Sequence, residues 1–335
     1  AEREKFFLDM QRLVDDMFRG QTFASYLPLF NVHAVFRASN ESGIGRNDTP
    51  KDTAYGLYRA GNTLRAIYPS NSSAARVSCR AAPGCDYPVI IANDPYYGGL
   101  GGEFAISTSS ETSGTIVLRH ELGHNFGRVG EEYDGGGYFG ANNSSSLSSL
   151  KWEHWIDSAE NLLAQPAKAL FLDWPWENLG DGPFVANFNS DGEYPYAKLR
   201  FSVSGIPEAD QVEIKVNDTP LPFTSRGTED RTFYDYELDA FTAGAHSITF
   251  TEQVSDGNNW VSSMTVHEFK EDYNFDRENI GAYPVFSRSG RVAGYRSNHE
   301  KCLMRNMKSP DFCSVCVENN WLQFFGKIDM IDGVS

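Results

Sequence analysis

The first residues carry apolar side chains at helical spacing: Phe6, Phe7, Met10, Leu13, Val14 and Met17 share one face, and Gly20 ends the run. The stretch 30–39 then alternates apolar and polar positions and predicts a strand. Residues 53–67 read as a second helix. The short apolar run 87–94 predicts a buried strand, and a glycine-rich turn over 98–102 leads into another at 103–110. From Ser113 the period becomes helical again, with Leu118, Leu122 and Phe126 four residues apart. A fourth helix is expected over 150–166, followed by a Trp- and Pro-rich connector over 171–184.

From about Tyr194 to Lys270 the pattern changes to short alternating runs, at 197–205, 211–218, 232–241, 245–253 and 260–269, with turn residues about every ten positions. That is the signature of a small all-β sandwich. Beyond it lie another Gly/Arg loop, two close cysteines and an apolar helix expected over 319–330. The reading is an α+β chain. A mixed sheet with helices occupies 1–185 and 271–335, and an inserted all-β sandwich occupies 186–270.

The chemistry gathers on the helix that starts near Ser113. His120 and His124 are four residues apart, so both imidazoles leave the same face and can share one zinc ion. Glu121 lies about 100° round the helix, too far to be an equivalent ligand but placed to act as general base. This is the logic of H-E-x-x-H metallopeptidases. His267–Glu268 begins the same way, but position 271 is Glu, so no second histidine follows and the pair is assigned to a strand. A catalytic zinc needs a third protein ligand. Gly127 and Gly130 are read as the residues that break the helix and reverse the chain, returning an acidic segment to the metal. Glu131 is the preferred third ligand, with Glu132 and then Asp134 as alternatives.

The run from His120 to Asp134, with its acidic pair and tyrosine, resembles the signature of the immunoglobulin A metallopeptidase family. The amino-terminal helix and strand, the turn at 96–107, and the segments 302–307 and 311–316 are similar to that family as well. The resemblance spans Ala1 to about Tyr138 and Ser287 to the end. It implies a secreted zinc endopeptidase of metzincin-like fold, with one catalytic ion and a protein or glycoprotein substrate, and it leaves immunoglobulin A itself unspecified. In metzincins the final histidine of the longer motif would fall on Gly130, which cannot ligate. The resemblance also implies that Met304 serves as a Met-turn, a hydrophobic floor beneath the metal.

Gly101, Gly102, Glu103 and Phe104 are candidates for an edge along which an extended substrate could pair. Cys79 and Cys85 read as a local disulfide; Cys302 and Cys316 are candidates for another, leaving Cys313 over. Cys313 and Cys316 could alternatively be half of a structural zinc site, although no second C-x-x-C exists. His299 is expected at the surface near a loop. The acidic loop 131–137 lacks an EF-hand pattern, so calcium is not assigned.

Composition adjusts this picture at the margins. The net charge of −16 argues against nucleic-acid or anionic-membrane partners. No run of eighteen apolar residues is present to span a bilayer. The charged, amphipathic opening reads as a processed start. Sequons at Asn40, Asn47, Asn71, Asn142, Asn143 and Asn217, with locally paired cysteines, point to an extracellular protein. Oligomeric state has no sequence signature here. A second class of function is a glycan- or protein-binding protein derived from a peptidase, with the sandwich docking glycoproteins.

Overall fold

The computed structural model describes residues 2–328. It is a mixed α/β molecule with several sheets and few helices, divided into two compact units. One comprises 1–130, 139–142 and 300–335; the other comprises 131–138 and 143–299.

In the first unit, helix α1 (Glu2–Met17) buries Leu13 and Met17. Strands β1 (Leu57–Arg59) and β2 (Ile67–Pro69) pair antiparallel, with Tyr58 opposite Tyr68. Helix α2 (Ser72–Cys79) is capped by the Asn71 side chain, which accepts from the Ala74 N–H at 3.1 Å. Strand β3 (Val89–Ala92) runs parallel to β4 (Ala105–Thr108), and β4 leads into helix α3 (Gly114–Asn125). Ile44, Leu57, Ile67, Ile90, Phe104 and Ile106 are among the residues that share one core. Helix α4 (Ser314–Phe325) joins α3 through an aromatic cluster. There Phe126, at the end of α3, lies 4.5 Å from Phe324 and 6.0 Å from Phe30, centroid to centroid. The terminal helix expected over 319–330 is α4, begun five residues earlier; Asp329 and Met330 lie outside the described residues.

Two expectations for this unit are corrected. Residues 53–67 form the β1–β2 hairpin, because Gly56 (φ +57°) and Gly61 (φ +56°) adopt left-handed backbone that a helix cannot use. Residues 30–39 form no strand. Their alternation instead places Phe30 and Phe36 against other rings, Phe36 at 5.5 Å from Phe6.

The second unit is the sandwich. Its strands are β5 (Ala167–Asp173), β6 (Glu177–Asn178), β7 (Phe184–Ser190), β8 (Tyr196–Ser204), β9 (Val212–Val216), β10 (Thr219–Pro220), β11 (Thr232–Leu238), β12 (Gly244–Glu252) and β13 (Trp260–Phe269). One sheet has the order β10-β9-β12-β7 and the other β11-β8-β13-β5, with β6 also on β13. Leu199, Phe201, Val261 and Met264 of one sheet share a core with Ala186, Ile214, Ile248 and Phe250 of the other. The expected boundary at 186 therefore falls inside β7, and the strands begin at Ala167, where β5 pairs with β13. A hairpin, β14 (Tyr283–Phe286) with β15 (Val292–Arg296), follows. The helix expected over 150–166 is replaced by 3₁₀ turns at Glu153–Trp155 and Ala159–Leu162. Trp152 is fully buried there, and its indole N–H donates to the Gly281 carbonyl at 2.8 Å.

Candidate metal centre

Helix α3 packs through Val117, Leu118 and Leu122, which fixes the rotation of the face that carries the histidines. His120 is buried and His124 half-buried, and their Nε2 atoms lie 3.2 Å apart. His120 Nδ1 donates to the Leu303 carbonyl at 3.3 Å, and His124 Nδ1 donates to the Val129 carbonyl at 2.8 Å. A carbonyl only accepts, so each ring donates from Nδ1 and presents Nε2 to the other ring. Zn–N bonds of about 2.0–2.1 Å put adjacent ligand nitrogens about 3.3–3.4 Å apart in a tetrahedron, so the spacing fits that ion.

Glu131, the preferred third ligand, lies seven residues after His124 and is joined directly to Gly130. The loop that presents it is held at both neighbouring peptides. Asn142 accepts from the Gly130 N–H at 3.0 Å and donates to the Gly130 carbonyl at 2.9 Å. Asn143 donates to the Glu131 carbonyl at 3.1 Å. Two positions read as sequons are thus buried braces for the loop that carries Glu131, a role that sequence reasoning missed.

The reversal itself does not use the two expected glycines. Left-handed backbone falls on Arg128 (φ +52°), not on Gly127 or Gly130. Gly127 is required for space instead: a Cβ there would meet both Asn320 Oδ1 and the Gly123 carbonyl at 2.7 Å. The Gly127 carbonyl also accepts from Asn319 of α4.

Glu121 borders the glycine-rich turn. A Cβ added to Gly101 would stand 3.0 Å from Glu121 Oε2 and 2.9 Å from His124 Cβ, so the Gly101 backbone passes close to both side chains. The other residues grouped with Gly101 have different surroundings. Phe104 belongs to the core, and exposed Glu103 is bound by Arg76 at 2.6 and 2.7 Å, which holds its carboxyl below the ordinary value. Asn125 donates to the Gly102 carbonyl and ties the turn to the end of α3. Met304 is fully buried, and its Sδ would stand 2.8 Å from a Cβ at Gly123, the residue before His124.

Asp134 is not among the histidine donors. One of its oxygens lies 3.0 Å from His267 Nε2 and the other accepts from the Phe286 N–H at 2.8 Å. His267 follows a register shift in β13, a local irregularity of the kind that re-aims a side chain. His299 is buried rather than superficial, with Nδ1 2.7 Å from the Tyr273 hydroxyl. Cys79 and Cys85 form a disulfide. Cys302 and Cys316 do not: their sulfurs are 3.6 Å apart, and both remain thiols alongside Cys313. Glu132 is fully buried.

Among the described residues no helix is long and apolar enough to cross a membrane. Solved structures similar to part of the chain include a family 35 carbohydrate binding module from Clostridium thermocellum, at 20% identity, TM-score 0.20, over 31% of this chain and 94% of that one. Another family 35 module, from an environmental isolate, is 16% identical over 30% and 82%, with TM-score 0.21. A ruminal GH26 endo-β-1,4-mannanase is 18% identical with TM-score 0.21; the match covers 34% of this chain and 21% of the mannanase. No curated protein matches. A family profile described as IgA Peptidase M64 matches residues 1–179, which take in the histidine pair, Glu121 and Glu131, and the chain therefore belongs to the IgA Peptidase M64 family.

Proposed function

We propose that this peptidase-family chain is a zinc-dependent endopeptidase acting on extracellular proteins or glycoproteins, with a metzincin-like catalytic domain and the sandwich as an inserted module. His120, His124 and Glu131 are the ligands. The observation that carries the reading is the pair of Nε2 atoms 3.2 Å apart, both Nδ1 positions being committed to carbonyls. Two neutral imidazoles and a carboxylate are the donor chemistry of a catalytic zinc with one position left open. A zinc ion held there supplies a Lewis acid for the scissile carbonyl and brings the pKa of a water toward neutrality. Glu121 accepts the proton of the attacking water and returns it to the leaving nitrogen. The backbone at Gly102, where a Cβ would meet nothing within 4 Å, leaves room for an extended peptide. Met304 supports α3 from below, at Gly123. The Cys79–Cys85 disulfide favours an oxidising compartment outside the cytosol.

The test separates ligand from base. Glu121→Gln keeps its metal and loses at least about 100-fold in kcat, the usual contribution of a general base. His120→Ala loses both metal and turnover. Metal analysis beside cleavage of a peptide library reads both quantities, and undiminished turnover by Glu121→Gln sinks the mechanism.

A further inference from the structure

The three cysteines outside the disulfide are all buried and converge from two segments of the first unit. Cys302 lies in the loop that contains Met304. Cys313 occupies the position just before α4, and Cys316 lies in its first turn. Cys302 Sγ and Cys316 Sγ are 3.6 Å apart. The three sulfurs all lie within 4.8 Å of one another. Zn–S bonds of about 2.3 Å put neighbouring sulfurs about 3.8 Å apart in a tetrahedron, whereas a disulfide needs about 2.05 Å.

We propose that Cys302, Cys313 and Cys316 form a second, structural metal site that takes zinc. Three thiolates are soft donors, which suit zinc and exclude magnesium and calcium. The site ties the loop at Cys302 to the start of α4. The residue after Cys302 is Leu303, whose carbonyl orients His120, and the next is Met304, which abuts Gly123. The structural ion thus acts on the histidine pair as a positioning element, without touching substrate.

This proposal stands independently of the peptidase mechanism, and one set of measurements separates them. Full-length protein is purified without chelator and its zinc content measured for the wild type, for His120→Ala/His124→Ala and for Cys316→Ser. The expected contents are two, one and one equivalents. Replacement of zinc by cobalt should give thiolate-to-metal charge-transfer absorption in the near ultraviolet that persists in the histidine variant. That absorption is read on protein with intact cysteines, so it still tests the proposal if Cys316→Ser fails to fold. A single equivalent with thiolate absorption that survives loss of the histidines supports this site and sinks the catalytic one. A single equivalent that disappears with the histidines overturns this site, as does metal-free protein or a Cys302–Cys316 disulfide found by mass spectrometry of the unreduced chain.

Discussion

The sandwich and the histidine-bearing unit are specified by different physics. In the sandwich, long strands bury alternate residues, as in β7, where Phe184, Ala186, Phe188 and Ser190 are buried and the residues between them exposed. Each side chain there contributes mainly area, and the total is spread over two sheets. Around His120 and His124 the contacts are few, short and directional: two backbone carbonyls for the rings, two asparagines for the loop, and a glycine against a sulfur. A distributed core tolerates small errors anywhere and fails only where a large volume is lost. A site of this kind fails at single atoms.

The largest effect that would test this contrast is Phe201→Ala. Phe201 is fully buried, with ring centroids 5.0 Å from Phe250 and 5.2 Å from Tyr234, so truncation leaves a cavity that neighbouring strands cannot fill. The expected cost is about 3–5 kcal/mol, measured as a shift in the urea midpoint of the sandwich. A loss below about 1 kcal/mol would show that the core relaxes more freely than its packing implies.

Next is Gly123→Ala, one methyl added in the other unit. The new Cβ would meet Met304 Sδ at 2.8 Å, so the buried Met304 side chain, its loop or α3 has to move. Stability should fall by about 1–3 kcal/mol. Turnover should fall further, by about 100-fold, because both histidines ride on that helix and misplacement of about 1 Å has that effect. If stability and turnover fell in proportion, the site would be no more demanding than a core.

The same contrast explains what the sequence made legible. Strands β8 and β13 announce themselves through alternation of Leu199, Phe201 and Val203, and of Val261 and the residues after it. Strand β5 is half-buried along most of its length, shows no alternation and reads as a connector. Histidines four apart are legible because helix geometry alone brings them together. Glu131 is legible only as a carboxylate that follows the helix after an expected reversal of the chain. The carbonyls of Leu303 and Val129 carry no residue signature at all. Asn142 and Asn143 are masked by a sequon that suggests a different role. The left-handed turn sits on Arg128, where glycines on either side draw attention away from it. Convergence of Cys302 with Cys313 and Cys316 is a tertiary fact, so sequence spacing pointed instead to a disulfide.

Asn142→Ala measures how much the bracing of the loop matters. It removes one acceptor and one donor from Gly130, worth about 1–3 kcal/mol if the buried peptide is left unsatisfied. With the peptide next to Glu131 loosened, zinc affinity should drop about tenfold or more, the usual cost of losing a group that supports a ligand. Competition with a metal indicator reads this directly. Unchanged affinity would mean that Glu131 is held by other contacts.

The smallest effect lies in the sandwich and depends on pH. Burial pushes the Glu268 carboxyl above its ordinary value, and the Ser190 hydroxyl, donating to it at 2.7 Å, opposes this only in part. The fold therefore favours the protonated acid. Its contribution to stability is complete below the unfolded-state pKa, near 4.3 for a free Glu, and is lost as pH rises through the higher folded value. Glu268→Gln is neutral at every pH and can still accept from Ser190. Urea unfolding at a series of pH values should show the variant gaining on the wild type as pH rises from acid to neutral. A difference that stays constant across the series would mean that Glu268 ionises in the fold as readily as in the open chain. Its place would then be fixed by the Ser190 hydrogen bond alone.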